Sequence, residues 1–299
     1  MSPGRPVPAI RDLLAEARGK VEPGDAYVLL EHALRRTRRG EGAPGRGRRT
    51  TPGCGAENPG KEFILSHPEH RPSRRQVRAW RAALRRRLSG EPAAYITGRR
   101  EFYGLSFRVK HTLVPRPETE LLVEEVLRLR PESLLEVGTG SGAVAVAVRH
   151  RLPSCRVTAI EASRAALRTA RRNVRELLGP GEVRLVRARF PRFRGGERFQ
   201  VVAANPPYVK TGELDGLPPE VRREPRLALD GGVDGLRAYR ALAAGTGELL
   251  APGGFLVLEI DPALRLQVEE LARAGGFRVR KVARDLAGRE RVLVLGAGD

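Results

Sequence analysis

The chain has 299 residues, 40% of them hydrophobic, which is enough to bury the core of one large domain or two smaller ones. Its 55 Lys and Arg residues outnumber its 35 Asp and Glu residues, and the resulting formal charge of +20 favours encounters with RNA, ribosomes or acidic proteins without selecting among them. The sequence contains no apolar run of about 18 residues, so it predicts no transmembrane helix.

Residues 1–90 show helical periodicity and are predicted to form a small substrate-recognition domain. Apolar residues recur three and four positions apart in three segments: Ile10, Leu13, Leu14 and Ala17; Tyr27, Leu30 and Leu34; Val77, Trp80, Leu84 and Leu88. Ser73 precedes the third segment as an N-cap. Residues 39–60 are rich in Gly, Arg, Pro and Thr, and we expect a disordered insertion there, with a basic arm as the alternative.

The pattern changes to short β-like segments over residues 91–114, among them residues 102–109, which predicts a β-hairpin linker. Pro117, Glu118 and Thr119 then begin a helix, because proline and an acidic residue both suit a first helical turn. We therefore expect a second domain over residues 115–299.

Strands and helices alternate in this second domain. The predicted strands are residues 133–137, 156–160, 183–186, 199–204 and 254–260, followed by 277–282 and 291–295. Short apolar strands separated by longer helices predict a mostly parallel sheet covered on both faces, which is an α/β fold. The last two strands are joined by a short polar turn and are predicted to be antiparallel, an ending typical of methyltransferases that use S-adenosylmethionine (SAM).

A glycine-rich turn, residues 138–142, follows the first strand of this domain. Glycine lets the backbone approach a ligand closely, and the N–H groups that begin the next helix favour electron-rich partners. Glu161 ends the next strand, where an acidic side chain can accept both ribose hydroxyls; a helix N-terminal charge is its alternative role. Glu136, just before the glycines, could pair with the ammonium of a methionine group, which favours SAM over a dinucleotide.

The tetrapeptide Asn205-Pro206-Pro207-Tyr208 follows the strand at residues 199–204. The Asn side-chain oxygen and the Pro206 carbonyl can each accept one N–H of a planar NH₂ group, while the prolines stiffen the turn. Tyr208 could pack on the flat target. A rigid strand-ending turn is the alternative for the tetrapeptide alone, but together with the glycine turn it indicates a SAM-dependent N-methyltransferase. Cys54 and Cys155 have no metal-ligand spacing, so no metal is expected.

Further motifs resemble the HemK/PrmC family of protein-(glutamine-N5) methyltransferases. They are Tyr95-Ile96-Thr97-Gly98, Glu101-Phe102-Tyr103-Gly104, residues 114–120 (Val-Pro-Arg-Pro-Glu-Thr-Glu) and residues 224–232 (Glu-Pro-Arg-Leu-Ala-Leu-Asp-Gly-Gly). The resemblance implies a seven-stranded, Rossmann-like SAM-dependent methyltransferase domain preceded by a helical bundle. It implies methylation of the glutamine in the Gly-Gly-Gln motif of peptide-chain release factors.

The same resemblance assigns roles to individual residues. The catalytic residues would be Asn205, Pro206 and Tyr208, with Pro207 also binding substrate. The residues expected to bind SAM are Gly138, Thr139, Gly140, Ser141, Gly142, Glu161, Arg189 and Asn205. The family commonly has Asp at the position of Glu136 and an acidic residue near the adenine, where this chain has Arg189 and Phe190; either of these two could cover the adenine instead.

Other functions stay open at this point. The target could be an exocyclic amine of adenine or guanine in a nucleic acid, or a glutamine of a ribosomal protein. The chain could also be a non-catalytic, ribosome-associated binding protein. The first residues lack an apolar core followed by a small-residue cleavage site, so we expect a cytoplasmic protein, with ribosome proximity and direct nucleic-acid binding undecided.

Overall fold

The computed structural model describes residues 7–35 and 60–298. The chain divides into two compact units, residues 1–97 and residues 98–299. Apart from Gly60, the insertion expected at residues 39–60 lies outside the described residues. Within the described ranges, no helix is both long enough and apolar enough to cross a bilayer.

The first unit is helical. Its helices are α1 (Ile10–Ala17), α2 (Pro23–Arg35), α3 (Lys61–Ser66), α4 (Arg74–Leu88) and α5 (Ala93–Thr97). The predicted periodicity is confirmed, because Leu13, Leu30 and Trp80 are fully buried in one apolar cluster. Ser73 caps α4, since its hydroxyl accepts the backbone N–H of Gln76.

The start of the predicted hairpin linker is helical instead. Residues 93–97 form α5, and Ala93 and Ile96, three positions apart, join the buried cluster of the first unit. Helical spacing of these two apolar residues therefore outweighs the β-like composition that follows. The hairpin itself begins at β1 (Arg99–Phe102) and returns along β2 (Leu105–Arg108), with Phe102 opposite Leu105.

The second unit contains the sheet. After the hairpin, its helices are α6 (Thr119–Leu129), α7 (Ala143–Arg151), α8 (Arg164–Leu177), α9 (Pro219–Arg222), α10 (Arg237–Gly245) and α11 (Arg265–Ala274). Its strands are β3 (Ser133–Val137), β4 (Arg156–Glu161), β5 (Arg184–Arg187), β6 (Phe199–Ala204), β7 (Val209–Lys210), β8 (Asp230–Gly232), β9 (Leu250–Glu259), β10 (Phe277–Arg284) and β11 (Glu290–Ala297).

Seven of these strands form one sheet in the order β10-β11-β9-β6-β3-β4-β5. The five strands β9, β6, β3, β4 and β5 are parallel, and β11 runs antiparallel between β9 and β10, as predicted. Leu134 and Val201 point into an apolar cluster shared with α6 and α7, whereas Leu135 and Val202 point into a second cluster shared with α10 and α11. The sheet is therefore buried on both faces.

The parallel strands β3, β4, β6 and β9 all end at one edge of the sheet. The glycine turn follows β3, Glu161 ends β4, Asn205 follows β6 and Glu259 ends β9. Ligands of open parallel sheets bind beyond the carboxyl ends of the strands, so this edge is where a site is expected.

Candidate active site

A cavity of about 240 Å³ opens at this edge of the sheet. Residues that follow β3, β4, β5 and β6 line it, together with residues 111–113 before α6 and one face of α10. The predicted site residues in its wall are Gly138, Gly140, Glu161, Arg189, Asn205, Pro206 and Pro207. Thr139, Ser141, Gly142 and Tyr208 do not line the cavity. The structure thus brings most, though not all, of the predicted residues to one cavity.

The glycine turn bends the chain from β3 into α7. Gly138, Gly140 and Gly142 have φ angles of 78°, 57° and 83°, a left-handed conformation that glycine adopts at little cost. Around Gly138 no atom lies within 4 Å of the place a Cβ would take, so its backbone faces open space in the cavity. Gly142 instead packs against α8, where an added Cβ would lie 3.3 Å from Ala170 Cβ. The first glycine of the turn is therefore open to the cavity, and the last one packs against α8.

Glu136 faces away from the cavity, so its predicted pairing with an ammonium group is not seen. Side chains alternate along a strand, and Val137 lines the cavity while Glu136 points toward α7. The Glu136 Oε2 atom accepts the Thr139 hydroxyl at 2.5 Å and the Ala145 N–H at 3.0 Å. Complete burial raises the pKa of Glu136 to about 8, although these hydrogen bonds act to lower it. Glu136 therefore holds the glycine turn on the first turn of α7.

Glu161 lies at the cavity wall and also shapes the turn. Its Oε2 atom accepts the Gly140 N–H at 2.9 Å, and its Oε1 atom accepts the Ser163 N–H at 2.7 Å. A carboxylate has about four acceptor positions, so each oxygen retains one for a further donor. Glu161 is 9% exposed and lines the cavity.

Asn205 is held by a residue far away in the sequence. Its Nδ2 atom donates to the Oγ1 atom of Thr119, the first residue of α6, at 3.0 Å. Because the NH₂ end is tied in this way, the Oδ1 end of the amide is the one available at the cavity. An acceptor oxygen there is what an incoming N–H group requires.

A glycine-containing segment supports the tetrapeptide from behind. The short strands β7 and β8 pair in parallel, with Val209 opposite Asp230. A Cβ on Gly231 would lie 2.8 Å from the Pro207 carbonyl oxygen, and one on Gly235 would lie 2.4 Å from the Tyr208 carbonyl oxygen. The backbone of residues 231–235 therefore packs directly on the tetrapeptide, and only glycine permits that approach.

Tyr208 is not at the cavity wall. Its ring packs against the apolar cluster beneath α10 and α11, where burial raises its pKa above the ordinary value. Thr139 and Ser141 are also buried: the Thr139 hydroxyl donates to Glu136, and the Ser141 carbonyl accepts from Asn173. The Tyr208 ring, the Thr139 hydroxyl and the Ser141 backbone carbonyl therefore stabilise the two turns that border the cavity.

An ion pair joins the two segments that border the cavity. The buried Glu224 accepts Arg116 Nη2 at 2.5 Å through Oε1 and the Val114 N–H at 2.9 Å through Oε2. Pro225 and Leu227, just after Glu224, line the cavity. The Arg116–Glu224 ion pair thus joins the Pro-Arg-Pro motif at residues 115–117 to the Glu-Pro-Arg segment at residues 224–226.

Sequence reasoning missed Thr119, Glu259 and the cavity-lining face of α10. Thr119 is predicted only as part of a helix start, and Glu259 lies unmarked within the predicted strand 254–260. The sequence offers one signal for them. Each is a polar residue near the end of a predicted element, Thr119 at the N-terminus of a helix and Glu259 near the carboxyl end of a strand. Nothing in local spacing says that they meet Asn205.

Two family descriptions match the chain. Residues 9–98 match the PrmC N-terminal domain, and residues 117–216 match the methyltransferase small domain. A solved methyltransferase structure from Pyrococcus furiosus aligns with a TM-score of 0.51 at 22% identity, covering 66% of this chain and 91% of that one. This likeness shows the methyltransferase fold.

Curated relatives are more informative. The release factor glutamine methyltransferase of Moorella thermoacetica is 47% identical over 220 residues, which cover 72% of this chain and 77% of that protein. The protein of the same name from Caulobacter vibrioides is 40% identical over 237 residues, 77% of this chain and 82% of that protein. The chain belongs to the family of release factor glutamine methyltransferases.

Proposed function

We propose that this chain transfers a methyl group from SAM to the side-chain N5 of the glutamine in the Gly-Gly-Gln motif of release factors. The single observation that carries the chemistry is Asn205, whose Nδ2 is tied to Thr119 so that Oδ1 is available at the cavity. Family membership supports the choice of a release factor as substrate.

The residues at the cavity fit SAM. Gly138 leaves room for close approach of a ligand to the backbone, and Glu161 keeps acceptor positions suited to ribose hydroxyls. The apolar side chains of Ile160, Phe190 and Leu242 offer a wall for a flat adenine, and Arg189 lies beside Phe190 at the exposed rim. When bound, SAM supplies an electrophilic methyl group.

The protein's own contribution is positioning. An amide nitrogen is a weak nucleophile because its lone pair is delocalised, so its orientation toward the methyl group decides the rate. Asn205 Oδ1 would accept one N–H of the target NH₂ group and the Pro206 carbonyl the other. Pro207 continues the rigid turn and brings no competing N–H donor.

We infer that residues 1–97 recognise the release factor and that residues 98–299 carry the chemistry. The match of residues 9–98 to the PrmC N-terminal domain supports this division. Since release factors act in translation, the proposal places the protein in the cytoplasm.

Radiolabel transfer from SAM tests the proposal. Purified release factor should become labelled, and a release factor with the Gly-Gly-Gln glutamine changed to alanine should not. Ribosomal RNA, DNA and ribosomal proteins serve as competing substrates in the same assay. Labelling of any of these in place of release factor would contradict the proposal and favour the corresponding alternative.

A further inference from the structure

Asn205, Thr119 and Glu259 meet behind the cavity because of the sheet register. Ala204 of β6 lies opposite Leu258 of β9, so the next residues, Asn205 just after β6 and Glu259 at the end of β9, lie side by side. The first residue of α6 is Thr119, which reaches the same place. Both Thr119 and Glu259 are almost fully buried, with exposed fractions of 5% and 4%.

The three side chains stand in series. Asn205 Nδ2 donates to Thr119 Oγ1 at 3.0 Å. The Thr119 hydroxyl lies beside the Glu259 carboxyl group, where a hydrogen bond donated by the hydroxyl acts to lower the pKa of the carboxyl group. The backbone carbonyl of Glu259 accepts the Tyr239 hydroxyl at 3.0 Å, which fixes the end of β9. Within residues 7–35 and 60–298, no donor reaches Glu259 Oε2. A buried carboxyl oxygen without a partner is costly, so its retention calls for an explanation.

The direction of these bonds determines which end of the Asn205 amide faces the cavity. A hydroxyl has one hydrogen, and an ionised carboxylate can only accept. When Glu259 is ionised, it takes the Thr119 hydrogen, and Thr119 Oγ1 can only accept from Asn205. The Asn205 NH₂ end must then face Thr119, which leaves Oδ1 for the cavity.

A protonated Glu259 reverses this constraint. Its own O–H can donate to Thr119 Oγ1, which releases the Thr119 hydrogen toward Asn205. The amide can then turn, with Oδ1 accepting from Thr119 and the NH₂ group facing the cavity. In that orientation Asn205 presents donors to the target NH₂ group and cannot hold it.

We propose that Glu259 and Thr119 are positioning residues, which hold Asn205 with its carbonyl oxygen toward the target amide only while Glu259 is ionised. The proposal rests on the proposed function for its link to methyl transfer, although the amide orientation itself can be observed without any substrate. Glu259 acts through Thr119 and touches neither substrate nor cofactor.

The surroundings of Glu259 allow it to titrate near neutral pH. Charged and titratable groups face it from the segment before α6, from β11, from α10 and from the residues after β6 and β9: Arg116, Glu118, Arg291, Tyr239, Tyr208 and Asp261. The pKa of Glu259 is raised to about 7, with burial as the largest cause; Glu118 also acts to raise it, whereas the Thr119 hydrogen bond and the two arginines act to lower it. Turnover should accordingly be lost as the pH falls through about 7.

Substitution of Thr119 tests the connection to Asn205. In steady-state assays with release factor and SAM, we expect Thr119→Val to lower kcat by about 10-fold or more, the equivalent of about 1.4 kcal/mol. KM for SAM should change little, and Thr119→Ser should restore turnover. Thr158→Val is the matched control, because Thr158 is 5% exposed in β4 and lies outside the cavity wall. Unchanged kcat in folded Thr119→Val would overturn the proposal.

Substitution of Glu259 tests the titration. The kcat of the wild-type protein, measured from about pH 5.5 to about pH 9, should show an acid limb near 7. Glu259→Gln cannot ionise and should lack this limb. An identical acid limb in the two proteins would refute the role of Glu259.

A spectroscopic readout separates this proposal from the proposed function. The side-chain ¹⁵N amide signals of Asn205 in the full chain should shift with pH in the wild type and not in Glu259→Gln. If release factor is not methylated but these signals respond, the substrate assignment fails and the positioning role stands. If methylation occurs but the signals ignore both pH and the substitution, the positioning role fails.

Discussion

Replacing Glu136 by Gln should make the protein more stable at alkaline pH. The side chain is fully buried and its pKa is raised to about 8 from an ordinary 4.5, with burial as the largest cause. Both of its hydrogen bonds reach one oxygen, Oε2, from Thr139 and Ala145. A Gln Oε1 atom in the same place can accept both, so the variant keeps the contacts and loses only the titration.

The magnitude follows from the difference between the folded and unfolded pKa values. Because the pKa of Glu136 is raised in the folded state, its protonation stabilises the folded wild type fully below about pH 4.5. This stabilisation is lost as the pH rises through about 8. Between these limits the free energy of unfolding of the wild type should fall by about 1.4 kcal/mol per pH unit relative to that of the variant. The total difference approaches ~5 kcal/mol as an upper bound.

Urea unfolding followed by far-UV circular dichroism at about pH 5, 6.5 and 8 measures the difference. The two proteins should unfold alike at the lowest pH and diverge as the pH rises. Fluorescence of Trp80, the one tryptophan of the chain, reports on the first unit and provides an internal control that should not change. A difference in unfolding free energy that does not depend on pH would refute the reasoning.

Three further substitutions test the site. Asn205→Ala should lower kcat by at least about 100-fold while binding of SAM, measured by calorimetry, stays within a few-fold; equal losses would contradict its role. Glu161→Gln should weaken SAM binding by about 10-fold or more, because one oxygen that accepts a backbone N–H becomes an NH₂ group; unaltered affinity would count against it. Gly235→Ala should abolish turnover by displacing the Tyr208 carbonyl, whereas Gly253→Ala, also at positive φ but with open space around it, should not.

The sheet could be predicted from the sequence because its strands are apolar on both faces and its helices keep the 3.6-residue period. Leu134 and Leu135 are both buried, on opposite faces, which is why a continuous apolar run marks the strand. The short helix α5 escaped prediction, since five residues show too little periodicity. The two-residue strand β7 and the three-residue strand β8 escaped it for the same reason.

The cavity could be predicted in part. Glycines and prolines mark turns that must approach a ligand, so Gly138, Glu161 and Asn205 were found from local pattern alone. The direction of Glu136 could have been inferred from strand alternation, because Val137 is its neighbour on the other face. The contact of Thr119 with Glu259 could not, since it depends on strand order and register, which no local segment encodes.

The packing of Gly231 and Gly235 on the target-binding turn has a consequence for protein engineering. The four residues after β6 have no regular structure that would fix their shape, and they derive their rigidity from a backbone segment encoded some way downstream. Transplanting the tetrapeptide alone into another methyltransferase should therefore transfer its amino-acid sequence but not its backbone conformation. We expect specificity for an amide substrate only when the tetrapeptide and the segment with Gly231 and Gly235 are grafted together.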